Sequence, residues 1–177
     1  FWIIKELPDF QNKKEINILE PSVWIWAFLP QIIKKYEDIE KVNIDIVDID
    51  NNSLDILQIL LSKQHIPTNI HLNIYNMDFF WLETTKEYDL VIWNPPYWKI
   101  KDKTVLKKYK FENKNTNNLF ALFLEKALSV WKFISFIVPK SLLNSPEFWL
   151  TRTLIEQYSL TWIIDFWENA FLWVKIE

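Results

Sequence analysis

Short apolar and β-branched segments alternate along this chain with segments of helical periodicity. The strand-like segments lie at Ile16–Glu20, Val42–Ile49, His71–Tyr75, Tyr88–Ile92, Phe133–Val138 and Leu160–Phe166. Helical spacing predicts helices at Phe28–Tyr36, Ser53–Lys63, Leu119–Val130 and Leu150–Tyr158, the last in a region opened by Pro146. Asn51 or Asn52 is expected to cap the second helix. The alternation predicts an α/β fold with a mostly parallel sheet of at least six strands and helices on both faces.

The composition limits the class of protein. A chain of 177 residues corresponds to about one domain, and 50% apolar residues can form a sizeable core. The chain has no cysteine, and His65 and His71 lack further zinc ligands, so no metal site is expected. No apolar run approaches the roughly 18 residues of a membrane span, and no signal peptide is visible. Because the chain begins at Phe1, it is expected to be a fragment.

Glycine is absent from the chain, whereas tryptophan occurs 11 times. An average usage of about 7% would give about a dozen glycines at this length. Without glycine, a doubly wound fold lacks the residue that enters turns at positive φ without steric cost. The missing glycines and the surplus tryptophans are therefore similar in number.

The residues that follow each strand are the candidate ligands, because parallel α/β sheets bind at the carboxyl ends of their strands. The first strand leads into Glu20-Pro21-Ser22-Val23-Trp24-Ile25-Trp26-Ala27-Phe28-Leu29. An acid followed by a tight turn into a helix suits a nucleoside cofactor. Such a turn favours glycine, because the backbone approaches the ligand closely, yet Trp24 and Trp26 occupy it. Taken alone, the segment fits a cofactor loop and an ordinary strand-to-helix turn about equally well.

Acidic residues also follow the next two strands. Asp48-Ile49-Asp50 comes at about the spacing where an acid accepts hydrogen bonds from a ribose. Asp48 is the expected ribose ligand, and Asp50 is expected to help cap the next helix. After the third strand, Asp78 can accept from the exocyclic amine of an adenine and Phe79 can flank its ring. The alternatives are solvated strand-end acids and a core phenylalanine.

Asn94-Pro95-Pro96-Tyr97, after the fourth strand, is the strongest signal in the sequence. An exocyclic aryl amine is a poor nucleophile because its lone pair is delocalised into the ring. A side-chain amide oxygen and a backbone carbonyl that both accept from this amine favour a pyramidal nitrogen. Two prolines hold such a loop rigid, and a tyrosine offers a stacking face to a flipped base. The alternative is a proline turn that closes a strand.

Together, these motifs resemble the amino-methyltransferases that act on DNA adenine in restriction–modification systems. The resemblance covers most of the chain and extends to Asn118–Glu125 and Phe136–Ser141. It implies a Rossmann-like class I methyltransferase fold, with residues 1–177 as a catalytic domain and target recognition outside them. It also implies S-adenosyl-L-methionine as cofactor, double-stranded DNA with a flipped adenine as partner, a cytoplasmic location and no membrane association.

The resemblance assigns roles residue by residue. Asn94 and Pro95 would hold the target amine, beside Pro96, and Tyr97 would stack on the base. Glu20, Pro21 and Ser22 would line the methionine end of the cofactor, and Asp48 would bind its ribose. Asp78 and Phe79 would hold its adenine. The other implied members of the cofactor site are Trp24, Trp26, Phe28 and Ile49.

The chain departs from the family pattern mainly at tryptophans. The family has Gly-x-Gly where this chain has Trp24-Ile25-Trp26, and a small residue at the position of Trp93. Glycine is also frequent there at the positions of Trp98 and Trp131. We hypothesise that the tryptophans stand at glycine positions, because some genetic codes read UGA as glycine and others as tryptophan. Misreading would not remove glycines encoded by ordinary codons. A molecule that carries these indoles is expected to lose cofactor binding.

The segment between Lys99 and Lys110 is rich in lysine, and the net charge of −3 does not indicate nucleic-acid binding by itself. The lysines fit both contacts to DNA phosphates and a solvated loop. They are Lys99, Lys101, Lys103, Lys107, Lys108 and Lys110.

Two alternative functions remain open from the sequence. Methyltransferases that act on a protein glutamine, and some RNA methyltransferases, also carry Asn-Pro-Pro-Tyr. Their first loop usually lacks the Glu-Pro-Ser start and the aromatic residue at the position of Phe28, which favours DNA. The second alternative is an inactive fragment that only binds or assembles.

Overall fold

The computed structural model describes residues 2–23, 28–83, 85–100, 109–113, 116–129 and 131–165. The chain divides into two compact units, Phe1–Val138 and Pro139–Glu177. The first unit contains the sheet, and the second contains short helices.

A five-stranded sheet forms the centre of the first unit. Its strands are β1 (Glu15–Glu20), β2 (Lys41–Asp48), β3 (Ile70–Asn76), β4 (Tyr88–Trp93) and β5 (Trp131–Phe136). They lie in the order β3-β2-β1-β4-β5, and every neighbouring pair is parallel. This confirms the predicted α/β, Rossmann-like fold. All carboxyl ends share one edge, and the strand order reverses between β1 and β4, where such folds bind ligands.

In the described part of this unit, one helix precedes β1, and three helices and a 3-10 turn lie between successive strands. They are α1 (Trp2–Lys5), α2 (Leu29–Lys35), α3 (Asn51–Leu61), the turn Phe79–Trp81 and α4 (Leu119–Ala127). Asp50 caps α3, because its side chain accepts from the backbone N–H of Asn52 at 3.1 Å and from the Ser53 hydroxyl at 2.8 Å. The expected cap at Asn51 or Asn52 is therefore wrong, since both residues already lie in the first turn.

Alternating strand residues bury two apolar clusters, one on each face of the sheet. On one face, Ile16, Ile18 and Ile44 pack with residues of α1, α2 and α3. On the other face, Leu19 and Val91 pack with α4 and with an aromatic group formed by Phe79, Phe80, Trp93, Phe111, Phe123 and Phe136. Helices cover both faces, as predicted.

An isolated antiparallel bridge between Lys99 and Asn118 joins the start of the lysine-rich segment to the residue before α4. The backbone N–H of Ile100 donates to the carbonyl of Asn117 at 2.7 Å, and that of Leu119 donates to Trp98 at 3.0 Å. Residues 98–100 and 117–119 are thus held together at the start of α4. Lys101, Lys103, Lys107 and Lys108 lie outside the described residues.

The second unit contains α5 (Ser141–Asn144), a 3-10 turn (Pro146–Phe148) and α6 (Trp149–Glu156). Arg152 donates to the carbonyls of Leu142 at 2.9 Å and Ser145 at 2.8 Å, which satisfies acceptors near the end of α5. No described helix of the chain has both the length and the apolar character needed to cross a membrane.

The predicted sixth strand at Leu160–Phe166 is wrong for residues 160–165, which are exposed and form no strand, and Phe166 lies outside the described residues. An apolar segment becomes a strand only when a neighbouring strand completes its hydrogen-bond ladder. No strand of the described part of this unit offers that ladder.

Candidate active site

Asp48, at the end of β2, holds the loop that follows β1. Its Oδ2 accepts from the backbone N–H of Val23 at 2.7 Å, and its Oδ1 accepts from that of Asp50 at 2.8 Å. The carboxylate is buried. Each oxygen retains a second lone pair, so the predicted ribose ligand has capacity left for two further donors. The structure adds a second role to Asp48, which is to position the loop after β1.

Glu20 ends β1 and is 3% exposed. Its Oε2 has no hydrogen-bond partner within the described residues. Burial, reinforced by the negative charge of Asp48, raises the pKa of Glu20 to about 8. A buried carboxyl oxygen without a partner is costly in a closed core, and its natural complement is a cationic donor.

The loop after β1 shows backbone strain at Ser22. Its φ is 149°, in the region that glycine enters without cost and that other residues enter at roughly 1–3 kcal/mol. Pro21 is buried on one side of it. Trp24 and Trp26 lie outside the described residues. Phe28 is 3% exposed and packs in the apolar cluster with α2, so the structure places it in the core.

Ile49 follows Asp48 and is 71% exposed at the carboxyl edge of the sheet. The side-chain amide of Asn76 donates to the carbonyls of Asp48 and Ile49, both at 3.2 Å. This contact joins the ends of β2 and β3. An exposed apolar side chain on a fixed backbone is suited to contact a flat ring.

Asp78 and Phe79 follow β3, as predicted, but Asp78 already has two donors. Its Oδ1 accepts from the backbone N–H of Phe80 at 2.9 Å, which caps the 3-10 turn, and its Oδ2 accepts from the Tyr109 hydroxyl at 2.7 Å. Phe79 is buried in the aromatic group. The sequence analysis missed Tyr109. The available signal was a pair of aromatic residues, Tyr109 and Phe111, in an otherwise polar segment.

Asn94 lies at the end of β4, with Pro95 buried beside it and Pro96 half-buried. The Tyr97 hydroxyl donates to the Oδ1 of Asn94, and it also lies 2.9 Å from the carbonyl of Ile137. Burial raises the pKa of Tyr97 far above its usual value, so the hydroxyl remains a donor. The Tyr97 ring lies edge-on to Phe120 at 6.2 Å between centroids. Tyr97 therefore orients the side-chain amide of Asn94, which lies in the same loop.

Trp93 directly precedes this loop and is completely buried. Its indole packs against Phe136 at 4.6 Å, Phe123 at 5.5 Å and Phe79 at 6.3 Å between ring centroids. The indole N–H has no acceptor within the described residues. Buried tryptophans normally pair this group, so position 93 carries an unpaired donor next to the predicted adenine neighbour, Phe79.

The sequence matches the Eco57I restriction-modification methylases over residues 11–172, which is most of the chain. The chain belongs to this family. Its sequence is also 31% identical over 173 residues to the type II methyltransferase M.AccI of Acinetobacter calcoaceticus. That alignment covers 90% of this chain and 31% of M.AccI, so the chain spans about a third of the relative's length.

Solved structures show the same fold. This member of the Eco57I methylase family superposes with a TM-score of 0.68 on a protein of Listeria monocytogenes assigned to the class I S-adenosylmethionine-dependent methyltransferases. The two are 20% identical, and the match covers 88% of this chain and 48% of that one. A protein of Vibrio vulnificus assigned as the modification subunit of a type I restriction enzyme gives a TM-score of 0.57 at 16% identity. That match covers 80% of this chain and 33% of the other.

The family implies S-adenosylmethionine as the cofactor, as the resemblance in the sequence also implied. The site residues fit its chemistry at the end of β1, where the unpaired Glu20 carboxyl complements an ammonium group. They also fit it at the end of β2, where Ile49 is exposed beside Asp48. No group of histidine and acidic residues suited to a metal ion occurs in the described part of the chain.

Proposed function

We propose that residues 1–177 form part of the catalytic domain of an enzyme that methylates the N6 amine of adenine in DNA, within a restriction–modification system. One observation carries the proposal. Asn94-Pro95-Pro96-Tyr97 directly follows β4, which pairs with β1, and the last residue of β1 is a buried glutamate whose Oε2 has no partner among the described residues. The proposed cofactor end and the proposed target-amine end would then lie together at the reversal point of the sheet. The family assignment supports the same reaction class.

In this proposal, the ends of β1, β2 and β3 hold S-adenosylmethionine, which supplies a methyl group on a positively charged sulfur. Glu20 pairs with the methionine ammonium, and Pro21 and Ser22 line that end. The free lone pairs of Asp48 accept from the ribose hydroxyls, and Ile49 contacts the nucleoside. Asp78 accepts from the adenine amine, and Phe79 packs beside the ring.

Asn94 and Pro95 act on the target base. The Asn94 side-chain oxygen and the Pro95 carbonyl accept from the adenine N6 amine and favour a lone pair that points out of the ring plane. Because Tyr97 and the two prolines hold this loop, the acceptors are oriented before the substrate arrives. The nitrogen would take the methyl group as the sulfur–methyl bond breaks, which would leave S-adenosylhomocysteine, and it would then release one proton to give a neutral methylated amine.

The same proposal covers the DNA contacts, the location of sequence recognition and the cellular location of the enzyme. The lysines between Lys99 and Lys110 contact phosphates beside the flipped base. Sequence recognition resides in a domain or subunit outside residues 1–177. We place the enzyme in the cytoplasm, as the resemblance to restriction–modification methyltransferases implies.

The test uses a glycine variant, defined as Trp24→Gly, Trp26→Gly and Trp93→Gly together. It is incubated with labelled S-adenosylmethionine and duplexes that carry an adenine opposite an abasic site. Such a base is already unpaired, so flipping costs little and no recognition domain is required. We expect label at adenine N6, and none in the matched Asn94→Ala variant or in duplexes without adenine at that site. Label in a glutamine-containing peptide or in RNA, and not in DNA, would overturn the DNA assignment.

A further inference from the structure

Tyr109 lies far from the cofactor motifs in sequence, yet its hydroxyl reaches one of them. It donates to the Oδ2 of Asp78 at 2.7 Å, across 31 positions of the chain. The backbone N–H of Phe80 holds the other oxygen at 2.9 Å. One donor on each oxygen fixes the carboxylate against rotation, and one lone pair on each oxygen stays available.

The hydroxyl is itself held in place by the packing of its ring. The Tyr109 ring lies 5.0 Å from Phe80, 5.1 Å from Trp81 and 5.7 Å from Phe111, centroid to centroid. Phe80 and Phe111 are buried. Burial, with a further contribution from Asp78, raises the pKa of Tyr109 to about 12, so the group stays protonated at working pH.

We infer that Tyr109 is a positioning residue for the cofactor adenine, which it controls by orienting Asp78. This inference rests on the proposed function, in which Asp78 accepts from the exocyclic amine of that adenine. Phe80 alone supports a single oxygen of the carboxylate, so loss of the Tyr109 hydroxyl frees the side chain to turn and to hydrate. Loss of the hydroxyl should therefore weaken only the contact between Asp78 and the exocyclic amine of the cofactor adenine.

The test compares two ligands on the glycine variant by calorimetry. One is S-adenosylhomocysteine, and the other is its purine analogue without the 6-amino group. Tyr109→Phe, which removes only the hydroxyl, is expected to weaken S-adenosylhomocysteine binding by about 5–20-fold. It should change the affinity of the analogue by less than about twofold. Tyr75→Phe is the matched control: Tyr75 is 40% exposed on β3, and its variant should leave both affinities unchanged.

A purely structural role for Tyr109 would lower both affinities equally, and that result would overturn the inference. An unchanged affinity for S-adenosylhomocysteine would overturn it while the proposed function stands. Absence of binding by both ligands would remove the proposed function and the inference together.

A second measurement uses the chain with its tryptophans and needs no ligand. Urea denaturation midpoints are compared for Tyr109→Phe, Asp78→Ala and the double variant. Because the hydroxyl acts through Asp78, the midpoint of the double variant should equal that of Asp78→Ala. Additive losses in midpoint would show that the two side chains do not act as a pair.

Discussion

Tyr97 donates its hydroxyl to the side-chain oxygen of Asn94, three residues before it. This bond determines which end of the Asn94 amide carries the acceptor, and it leaves that oxygen one lone pair for a substrate amine. The same hydroxyl lies 2.9 Å from the carbonyl of Ile137, after β5. The orientation of the Asn94 amide, which is proposed to be catalytic, is thus set by Tyr97, whose hydroxyl lies between the residues that follow β4 and β5.

Asn94→Ala is expected to lower the rate of methyl transfer by roughly 10²–10³-fold, by analogy with the loss of one preorganised oxyanion donor. S-adenosylmethionine affinity should stay within a few-fold, because the amide acts on the target base. Single-turnover assays and calorimetry on the glycine variant measure the two quantities. Asn117→Ala, at an exposed position, is the control. If the Asn94→Ala form were nearly as active as the glycine variant that keeps Asn94, this residue would have no part in the mechanism.

Tyr97→Phe keeps the ring but removes the hydroxyl that orients Asn94. We expect the rate to fall about tenfold, as for the loss of one charge-neutral hydrogen bond of about 1.4 kcal/mol, with little change in DNA affinity. Tyr97→Ala should also weaken DNA binding, since base–aromatic stacking contributes about 1–3 kcal/mol. The DNA affinities of the two variants are compared with duplexes that carry one unpaired adenine. Equal DNA affinities for the two variants would argue against stacking on Tyr97.

Glu20 links stability to pH. Its pKa of about 8 lies above the 4.5 of an ordinary glutamate, so the folded chain keeps a proton that the unfolded chain releases between these values. The free energy of unfolding should therefore fall as the pH rises from 4.5 to 8 and level off above that range. The Glu20→Gln variant should lose this dependence of the unfolding free energy on pH. At pH 8 it should be more stable than the chain with Glu20, by an amount on the order of a few kcal/mol. Urea denaturation at several pH values measures the free energy of unfolding. The control variant Glu6→Gln, at an exposed position, should keep the same dependence on pH as the unchanged chain.

The same Glu20→Gln substitution should weaken S-adenosylmethionine binding in the glycine variant, because a neutral amide cannot pair with the ammonium. In the glycine variant that keeps Glu20, affinity for S-adenosylmethionine should rise with pH until Glu20 is ionised. A Glu20→Gln protein that is more stable and binds equally well would place the ammonium elsewhere.

The tryptophans make a separate prediction. A chain with all eleven changed to glycine should bind S-adenosylmethionine, and the chain with tryptophan should not. Trp162→Gly alone, at a position that is 65% exposed, should not restore binding. Calorimetric titration decides this. Equal, measurable affinity in the tryptophan chain would falsify both the miscoding hypothesis and the placement of the cofactor loop.

The gene provides a cheaper check of the same hypothesis. All eleven tryptophan codons should be UGA. A UGG codon at any position would identify a true tryptophan there. A true Trp93 should behave as a core residue, so its change to glycine would destabilise the fold by more than the roughly 3–5 kcal/mol typical of a buried tryptophan replaced by alanine.

DNA binding by residues 1–177 should be weak and without sequence preference. The lysines available in this chain are suited to phosphates, and phosphate contacts release counterions, so affinity should fall steeply with salt. Titration of labelled duplexes at several salt concentrations measures the slope. A footprint confined to one short sequence would show that recognition elements lie within these residues.

The sheet was predictable because it depends on short patterns, whereas the roles of the candidate site residues stay predictions. Runs such as Val42–Asp48 can be recognised by their β-branched residues, and topology alone brings the ends of β1, β2 and β4 to one edge. The absent strand at residues 160–165 was not predictable, since a strand requires a partner that apolar periodicity does not reveal.

The finer contacts of the site depend on the path of the chain between elements. Tyr109 reaches Asp78 only because the segment before α4 returns to the end of β3. Likewise, Asp48 accepts from the backbone of Val23, a donor that every non-proline residue possesses and that no sequence motif marks. The residues that follow each strand can therefore be identified from the sequence, whereas the donors that orient their side chains cannot.

The adjacency of β1 and β4 also has a consequence for folding kinetics. Asp89 at the start of β4 accepts from the backbone N–H of Asn17 at 3.0 Å, across 72 positions of the chain. Pairings this distant form slowly, because a long loop must close before the contact contributes. During synthesis, β2 can pair with β1 long before β4 leaves the ribosome. We therefore expect Glu20 and Asn94 to come to share one edge of the sheet only late in folding.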